Sequence, residues 1–156
     1  MNRRSFVFRL SGLAAGALVA PRLEGQAGRW AQLTPLTVYK SSSCGCCNKW
    51  LEHVRANGFA PEVHDEEDMD AVKGQLGVPV GIRSCHTAIA GKYLVEGHVP
   101  ASEIKRLLKD QPPVSGLAVP GMPSNTPGMA PAGAPISGFE VLSFQRDGST
   151  KVFASY

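Results

Sequence analysis

Three cysteines stand within four positions of this chain, in the stretch SSSCGCCNKW at residues 41–50. Cys44 and Cys47 have the Cys-x-x-Cys spacing of a redox dithiol. Cys46 adds a third sulfur that a dithiol does not need, and the fourth cysteine, Cys85, lies far away in sequence. A structural bridge within so short a loop would constrain the unfolded chain little. The spacing therefore indicates redox chemistry or the binding of a metal that prefers sulfur ligands.

The spacing of apolar residues and the positions of glycine and proline predict the strands and helices that position these thiols. Strands are predicted at residues 35–40, 60–64, 87–90 and 93–96, and helices at residues 46–58, 65–76 and 100–109. Gly91 and Lys92 form a two-residue hairpin turn between the last two strands. The order β-α-β-α-β-β-α predicts an α/β, thioredoxin-like domain over residues 35–111. In that arrangement the Cys-x-x-Cys lies where the first strand meets the first helix, whose N-terminal amides favour thiolates.

The remaining cysteine precedes the third strand, in the segment that faces the Cys-x-x-Cys in thioredoxin-like proteins. We therefore expect the sulfur of Cys85 to converge with the other three, a buried core thiol being the alternative. His86 is a candidate ligand or a hydrogen-bonding partner of the loop. His53 and His98 are interpreted as structural, and His64 has no motif support.

The composition changes after residue 111. Residues 116–135 are rich in proline and glycine and contain two Pro-Gly-Met units, with Met122 and Met129. Thioethers are soft ligands suited to Cu(I), but composition alone favours a linker over a metal-binding loop. Two strand-like runs, at residues 138–144 and 151–155, predict a terminal hairpin. Residues 112–156 are thus predicted to be a C-terminal extension anchored at both ends.

The first 27 residues have the pattern of a removable export signal. A paired arginine precedes a weakly apolar run that is too short to span a bilayer, and Arg-Arg-Ser-Phe-Val is similar to a twin-arginine signal. Cleavage is expected after Ala27, followed by a flexible segment at residues 28–34. We therefore expect a periplasmic protein with no membrane span after cleavage.

Charge excludes one class of partner. The signal carries four arginines and one glutamate, a charge of +3, which equals the formal net charge of the whole chain. The mature part is consequently neutral and has no basic footprint for nucleic acid.

Several metals accept sulfur ligands. Zinc sites usually combine two separated ligand pairs, and iron–sulfur binding fits an oxidising compartment poorly. Three sulfurs this close, two of them on adjacent residues, suit bridging between several copper ions better. These arguments favour Cu(I) without excluding the others.

The stretches SSSCGCCNKWLEHVRANGF, SCHTAIAGKYLVEGHVPASEIKRLL and GLAVPGMP resemble the CopG-type family of bacterial periplasmic copper-resistance proteins, long catalogued as a domain of unknown function. The resemblance covers roughly residues 36–155. It implies a thioredoxin-like domain whose extension helps to bind metal, and a cysteine-bridged, multinuclear copper site that interconverts Cu(I) and Cu(II). By position the implied ligands are the following: Cys44, Cys46, Cys47, Cys85, Met122 and, less specifically, Met129.

With that resemblance the methionine loop is predicted to bind metal. We expect a monomer whose partners are copper ions and either a copper efflux system or a periplasmic electron donor. Three hypotheses stay open: a copper redox protein, with or without turnover as a copper oxidoreductase; a copper store or chaperone without redox turnover; and a thiol–disulfide oxidoreductase that uses Cys44 and Cys47. The last predicts that Cys46, Cys85 and Met122 are dispensable.

Overall fold

The computed structural model describes residues 33–156, so the predicted signal segment at residues 1–27 and most of the segment at 28–34 lie outside the described residues. Within the described residues the chain forms seven strands and three helices, with one 3-10 turn at Val80–Ile82. The elements in chain order are β1 (Thr34–Lys40), α1 (Gly45–Ala56), β2 (Phe59–Asp65), α2 (Met69–Leu76), β3 (His86–Ala90), β4 (Tyr93–Glu96), α3 (Ala101–Asp110), β5 (Gly116–Ala118), β6 (Glu140–Phe144) and β7 (Thr150–Ser155).

All seven strands form one sheet in the order β2-β1-β3-β4-β5-β6-β7. β1 pairs with β2 in parallel and with β3 antiparallel, and β3 forms the predicted hairpin with β4. The order β-α-β-α-β-β-α predicted for the first part of the chain is thus confirmed. The description of this arrangement as thioredoxin-like stays a prediction.

Successive residues of the strands point to opposite faces of the sheet, and each face has its own core. Trp50, Leu51 and Val54 of α1 and Ile104 and Leu107 of α3 pack with one set of strand residues. On the other face, residues that follow α2 pack against strand residues in a second cluster, which consists of Val78, Ile82, Leu94, Ala118 and Phe144. Leu76 at the end of α2 packs against this second cluster, so helices contact both faces of the sheet. The end of β1 leads through a short turn to the start of α1.

The second helix is shorter than the sequence predicts. β2 continues to Asp65, whose carboxylate accepts a hydrogen bond from Lys40 Nζ at 2.6 Å. The helix begins only after Asp68, because the Asp68 Oδ1 caps it by accepting from the Ala71 amide at 2.9 Å. The prediction of a helix from residue 65 was therefore wrong by one turn.

The short strand β5 lies in the stretch that the sequence predicts to be an irregular loop. It pairs in parallel with β4 and antiparallel with β6, so the C-terminal hairpin extends the same sheet. Gly116 is needed there because a Cβ atom would approach the Leu94 carbonyl carbon to 2.8 Å and a ring carbon of Phe144 to 2.9 Å. The predicted terminal hairpin is confirmed. No helix within residues 33–156 is long and apolar enough to span a bilayer.

Candidate metal centre

The three clustered cysteines occupy the start of α1, as the sequence predicts. Cys44 is the N-cap residue, in an extended conformation and without a side-chain cap, and Gly45 begins the helix. Cys44 and Cys47 are joined by a disulfide, whereas Cys46 and Cys85, which complete the cysteines of residues 33–156, are free. Cys47 is buried and the other three are half-buried. The helix start therefore presents one disulfide and one thiol side by side.

Cys85 reaches the same place from the neighbouring strand, because His86 at the start of β3 pairs with Lys40 at the end of β1. It stands between the 3-10 turn and β3, and its Sγ lies with those of Cys44, Cys46 and Cys47 in a group whose members are all within 4.8 Å of one another. The Sγ atoms of Cys44 and Cys46 are 3.5 Å apart. Burial raises the pKa of the Cys85 thiol to about 11, and the nearby Cys46 adds to that rise. The predicted convergence of four sulfurs is confirmed. Their roles as ligands stay predictions.

A buried ion pair fixes the segment that carries Cys85. Glu96, at the end of β4, is fully buried and accepts hydrogen bonds of 2.6 Å from Lys73 Nζ, from the Ser84 amide and from Thr87 Oγ1. Lys73 also donates to Thr87 Oγ1 at 2.9 Å. Burial raises the pKa of Glu96, and the Lys73 ammonium opposes that rise. This carboxylate therefore ties α2, β3 and β4 together one residue from the Cys85 backbone.

Two buried histidines adjoin the sulfur of Cys85. The Sγ is 3.3 Å from Nδ1 of His86 and 3.9 Å from each ring nitrogen of His98. The two rings meet edge to face with centroids 5.2 Å apart, and the His86 ring also packs against Trp50. Burial lowers the pKa of both imidazoles, so both rings are neutral near pH 7. His86 Nε2 is buried and has no hydrogen-bond partner among the described residues.

The interpretation of His98 as a structural residue overlooked this proximity. A signal was present in the sequence, because the two-residue turn fixes the register of the β3–β4 hairpin, with Ala90 opposite Tyr93. Continuing that register to the other end of the hairpin places Cys85 opposite His98. By contrast, His53 accepts a hydrogen bond from the Ala101 amide at 3.1 Å, which is the structural role expected for it.

The methionine loop passes close to the thiols and is held at defined points. The Ser84 hydroxyl donates to the Gly121 carbonyl, and the two residues also form a β-bridge. Met122 is 59% exposed and lines one surface pocket together with Cys85. Further along, Gly128 lies so near α1 that a Cβ atom would be 2.7 Å from the Trp50 amide nitrogen and 3.0 Å from the Cys46 carbonyl oxygen. The loop therefore covers the start of α1.

The second methionine is placed less directly. Met129 is half-buried, and its amide donates to the Thr126 carbonyl at 2.9 Å within a turn of the loop. The group of mutually close ligand atoms consists of the four sulfurs, and a second such group consists of Cys85, His86 and His98. The structure thus brings together the predicted cysteines and His86, puts Met122 in the Cys85 pocket, and leaves Met129 on the covering loop.

Comparisons with known proteins match the part of the chain that contains these residues. The family model described as "Protein of unknown function, DUF411" matches residues 82–129, which include Cys85, both histidines and both methionines of the loop. Two solved structures, titled "Copper resistance protein copG- Form 2" and "Copper resistance protein copG- Form 1", are each 41% identical to this chain with a TM-score of 0.72. Each covers 79% of this chain, and the matches span 98% and 97% of their chains respectively. No curated protein matches the sequence.

Proposed function

Because this chain belongs to the CopG family of copper-resistance proteins, we propose that it is a periplasmic protein that binds several copper ions on its four cysteines and interconverts Cu(I) and Cu(II). The observation that carries the proposal is the mutual approach of four sulfur atoms within 4.8 Å. The chemistry is that of copper resistance: the ion is the cargo or substrate, and the chain supplies its ligands.

The spacing of the sulfurs fits shared metal ions. A tetrahedral ion with metal–sulfur bonds of about 2.3 Å, as in zinc sites, separates its sulfur ligands by roughly 3.8 Å. The distance of 3.5 Å between the Sγ atoms of Cys44 and Cys46 is close to that value. Thiolates are soft ligands that select Cu(I). Three of the four thiolates stand close together at the start of α1 and the fourth faces them, an arrangement that favours sulfur atoms bridging several copper ions over four bonds to one ion.

The disulfide gives the site a redox component of its own. Two electrons and two protons convert the Cys44–Cys47 disulfide into two thiols, and metal binding then displaces the thiol protons. We assign Cys44 and Cys47 the catalytic role, because they are the two residues that this reduction converts between disulfide and thiols. An external electron donor of the periplasm supplies the electrons, and the disulfide form has only two free thiols for copper.

The loop completes the proposed ligand set. Met122 shares the Cys85 pocket, so its thioether is available as a ligand that favours Cu(I). Met129 and His86 are proposed as further ligands, Met129 because the loop that carries it covers α1 and His86 because Nδ1 lies 3.3 Å from the Cys85 Sγ. The loop around Gly128 lies against the start of α1. In this proposal it limits the access of solvent and oxygen to the sulfurs.

The Cys44–Cys47 disulfide at a helix start also favours a second function, thiol–disulfide exchange with copper binding incidental. Single variants separate the two functions. Cys46→Ser, Cys85→Ser and Met122→Leu should each lower the number of copper ions bound per reduced chain, whereas the exchange reaction does not need these residues.

The assay counts copper in each variant under reducing conditions and measures insulin reduction in parallel. His64→Asn is the control, because the His64 side chain is 41% exposed and is paired to Glu62. Unchanged copper counts in all three variants would contradict the proposed ligand set. Less than one copper ion per wild-type chain together with intact insulin reduction would establish the second function instead.

A further inference from the structure

We propose that Ser84 is a positioning residue for bound copper. Its hydroxyl holds the backbone of Gly121, so that the next residue, Met122, keeps its thioether beside Cys85. The inference rests on the proposed function, in which Met122 is a ligand that favours Cu(I). It adds a residue that binds no metal itself but determines whether the methionine loop reaches the sulfurs.

The sheet fixes the position of Ser84. The Ser84 amide donates to the Glu96 carboxylate at 2.6 Å, and this buried carboxylate also accepts hydrogen bonds from Lys73 and Thr87. The Ser84 side chain lies so close to Gly97 that a Cβ atom on this glycine would be 2.5 Å from the Ser84 Oγ. The hydroxyl therefore has a defined position next to Cys85, set by a network that includes no copper ligand.

The methionine loop, by contrast, needs an external contact to be fixed near Met122. The hydroxyl bond and the β-bridge that tie the loop to the Cys85 segment both join Ser84 to Gly121. Gly121 has a φ of +67°, and an added Cβ atom would meet nothing within 4 Å, so packing does not hold its backbone. Met122 is 59% exposed, so packing does not hold its side chain either. The contact with Ser84 therefore decides where the thioether lies.

The loss of this hydroxyl should affect the metal more than the fold. Ser84 is half-buried, so water can replace the hydroxyl at the Gly121 carbonyl. Water does not hold the carbonyl against the Cys85 segment, and the thioether then leaves the copper to its thiolate ligands. Residues that orient metal ligands from outside typically contribute tenfold or more to affinity. Because a thioether stabilises Cu(I), Cu(I) affinity should fall while Cu(II) affinity stays the same.

The test measures the Cu(I) affinity of the reduced chain without oxygen, by competition with the chelator bicinchoninate, and the midpoint potential of the bound copper. Ser84→Ala should weaken the ion that contacts Met122 about tenfold. With an unchanged Cu(II) affinity, a tenfold loss lowers the one-electron potential by about 59 mV. A merely structural role of Ser84 would change the free energy of unfolding and leave the potential where it is.

Three further variants make the result specific. Met122→Leu should give the same two changes, and Ser84→Ala/Met122→Leu should add nothing to them, because the serine acts only through the methionine. Ser143→Ala also removes a serine hydroxyl that donates to a backbone carbonyl, that of Lys151, but on β6, three strands from β3, and it should change neither quantity. If Ser84→Ala does not fold, Gly121→Ala strains the same contact through its positive φ and should reproduce both changes.

Unchanged affinity and potential in Ser84→Ala, or losses that add in the double variant, would overturn the positioning role and leave the proposed function standing. A loss of the same size in Ser143→Ala would overturn it as well. If Met122→Leu changes neither quantity while the wild-type chain binds copper, the positioning role fails together with Met122 as a ligand, and the four cysteines remain as the proposed site. A wild-type chain without copper would overturn both the positioning role and the proposed function.

Discussion

Replacing Glu96 by glutamine should lower the free energy of unfolding by about 3–5 kcal/mol, the cost of removing one partner from a buried ion pair. Glutamine keeps the size of the side chain but removes the charge that faces Lys73 Nζ at 2.6 Å. Both side chains of the pair are almost completely buried, so water cannot replace the lost partner. The amide oxygen can still accept from the Ser84 amide or Thr87, and for that reason the predicted loss is dominated by the unpaired ammonium.

Two comparisons make the estimate specific to the pair. Asp70→Asn is the same acid-to-amide change at an ion pair with Arg83 in which Asp70 is largely exposed, and it should cost less than about 1 kcal/mol. The double variant Lys73→Met/Glu96→Gln removes both buried charges. It should be at least about 1 kcal/mol more stable than Glu96→Gln alone, because breaking a buried pair is more costly than removing it.

Urea unfolding of the metal-free chain with the disulfide intact measures these differences, provided that the slope of the transition is the same in all variants. The slope must be compared because a change in it would indicate an altered unfolded or native state. A loss for Glu96→Gln no larger than that for Asp70→Asn would refute the reasoning. A double variant less stable than Glu96→Gln would also refute it.

Two further predictions follow from local geometry. The pKa of Cys85 is raised to about 11, so about one thiol in a thousand is ionised at pH 8 and Cys85 in the metal-free chain should be alkylated slowly. The alkylation rate should rise about tenfold per pH unit up to pH 10. Peptide mapping by mass spectrometry measures the rate, and a rate that levels off below pH 9 contradicts the prediction. Gly128→Ala should lower the free energy of unfolding by about 1–2 kcal/mol more than Gly133→Ala, because both glycines have positive φ but only Gly128 lies against the backbone, at Trp50. Equal losses in urea unfolding would show that the loop does not pack on α1.

Much of the first part of the fold follows from local sequence. Strand β1 alternates buried Leu36 and Val38 with less buried neighbours, and Gly58 and Gly91 end elements where a positive φ is required. The position of the three cysteines at the start of α1 depends only on the junction of β1 and α1. These features were predictable because each is determined by residues close in sequence.

The features that were missed depend on distant contacts. β5 contains only Gly116, Leu117 and Ala118 and is a strand only because β4 and β6 pair with it on either side. The Lys73–Glu96 pair joins a helix to a strand 23 residues away, and no periodicity marks either residue as buried. His98 is the exception, because its position opposite Cys85 follows from the turn between β3 and β4.

The proposal that bound copper changes oxidation state is tested most directly by one measurement on the mature, reduced wild-type chain: copper ions per chain together with the visible spectrum through one cycle of oxidation and reduction. The four converging sulfurs predict more than one copper ion per chain and a colour change that reverses in full. Bound copper whose spectrum does not change, or fewer than one copper ion per chain, would contradict it.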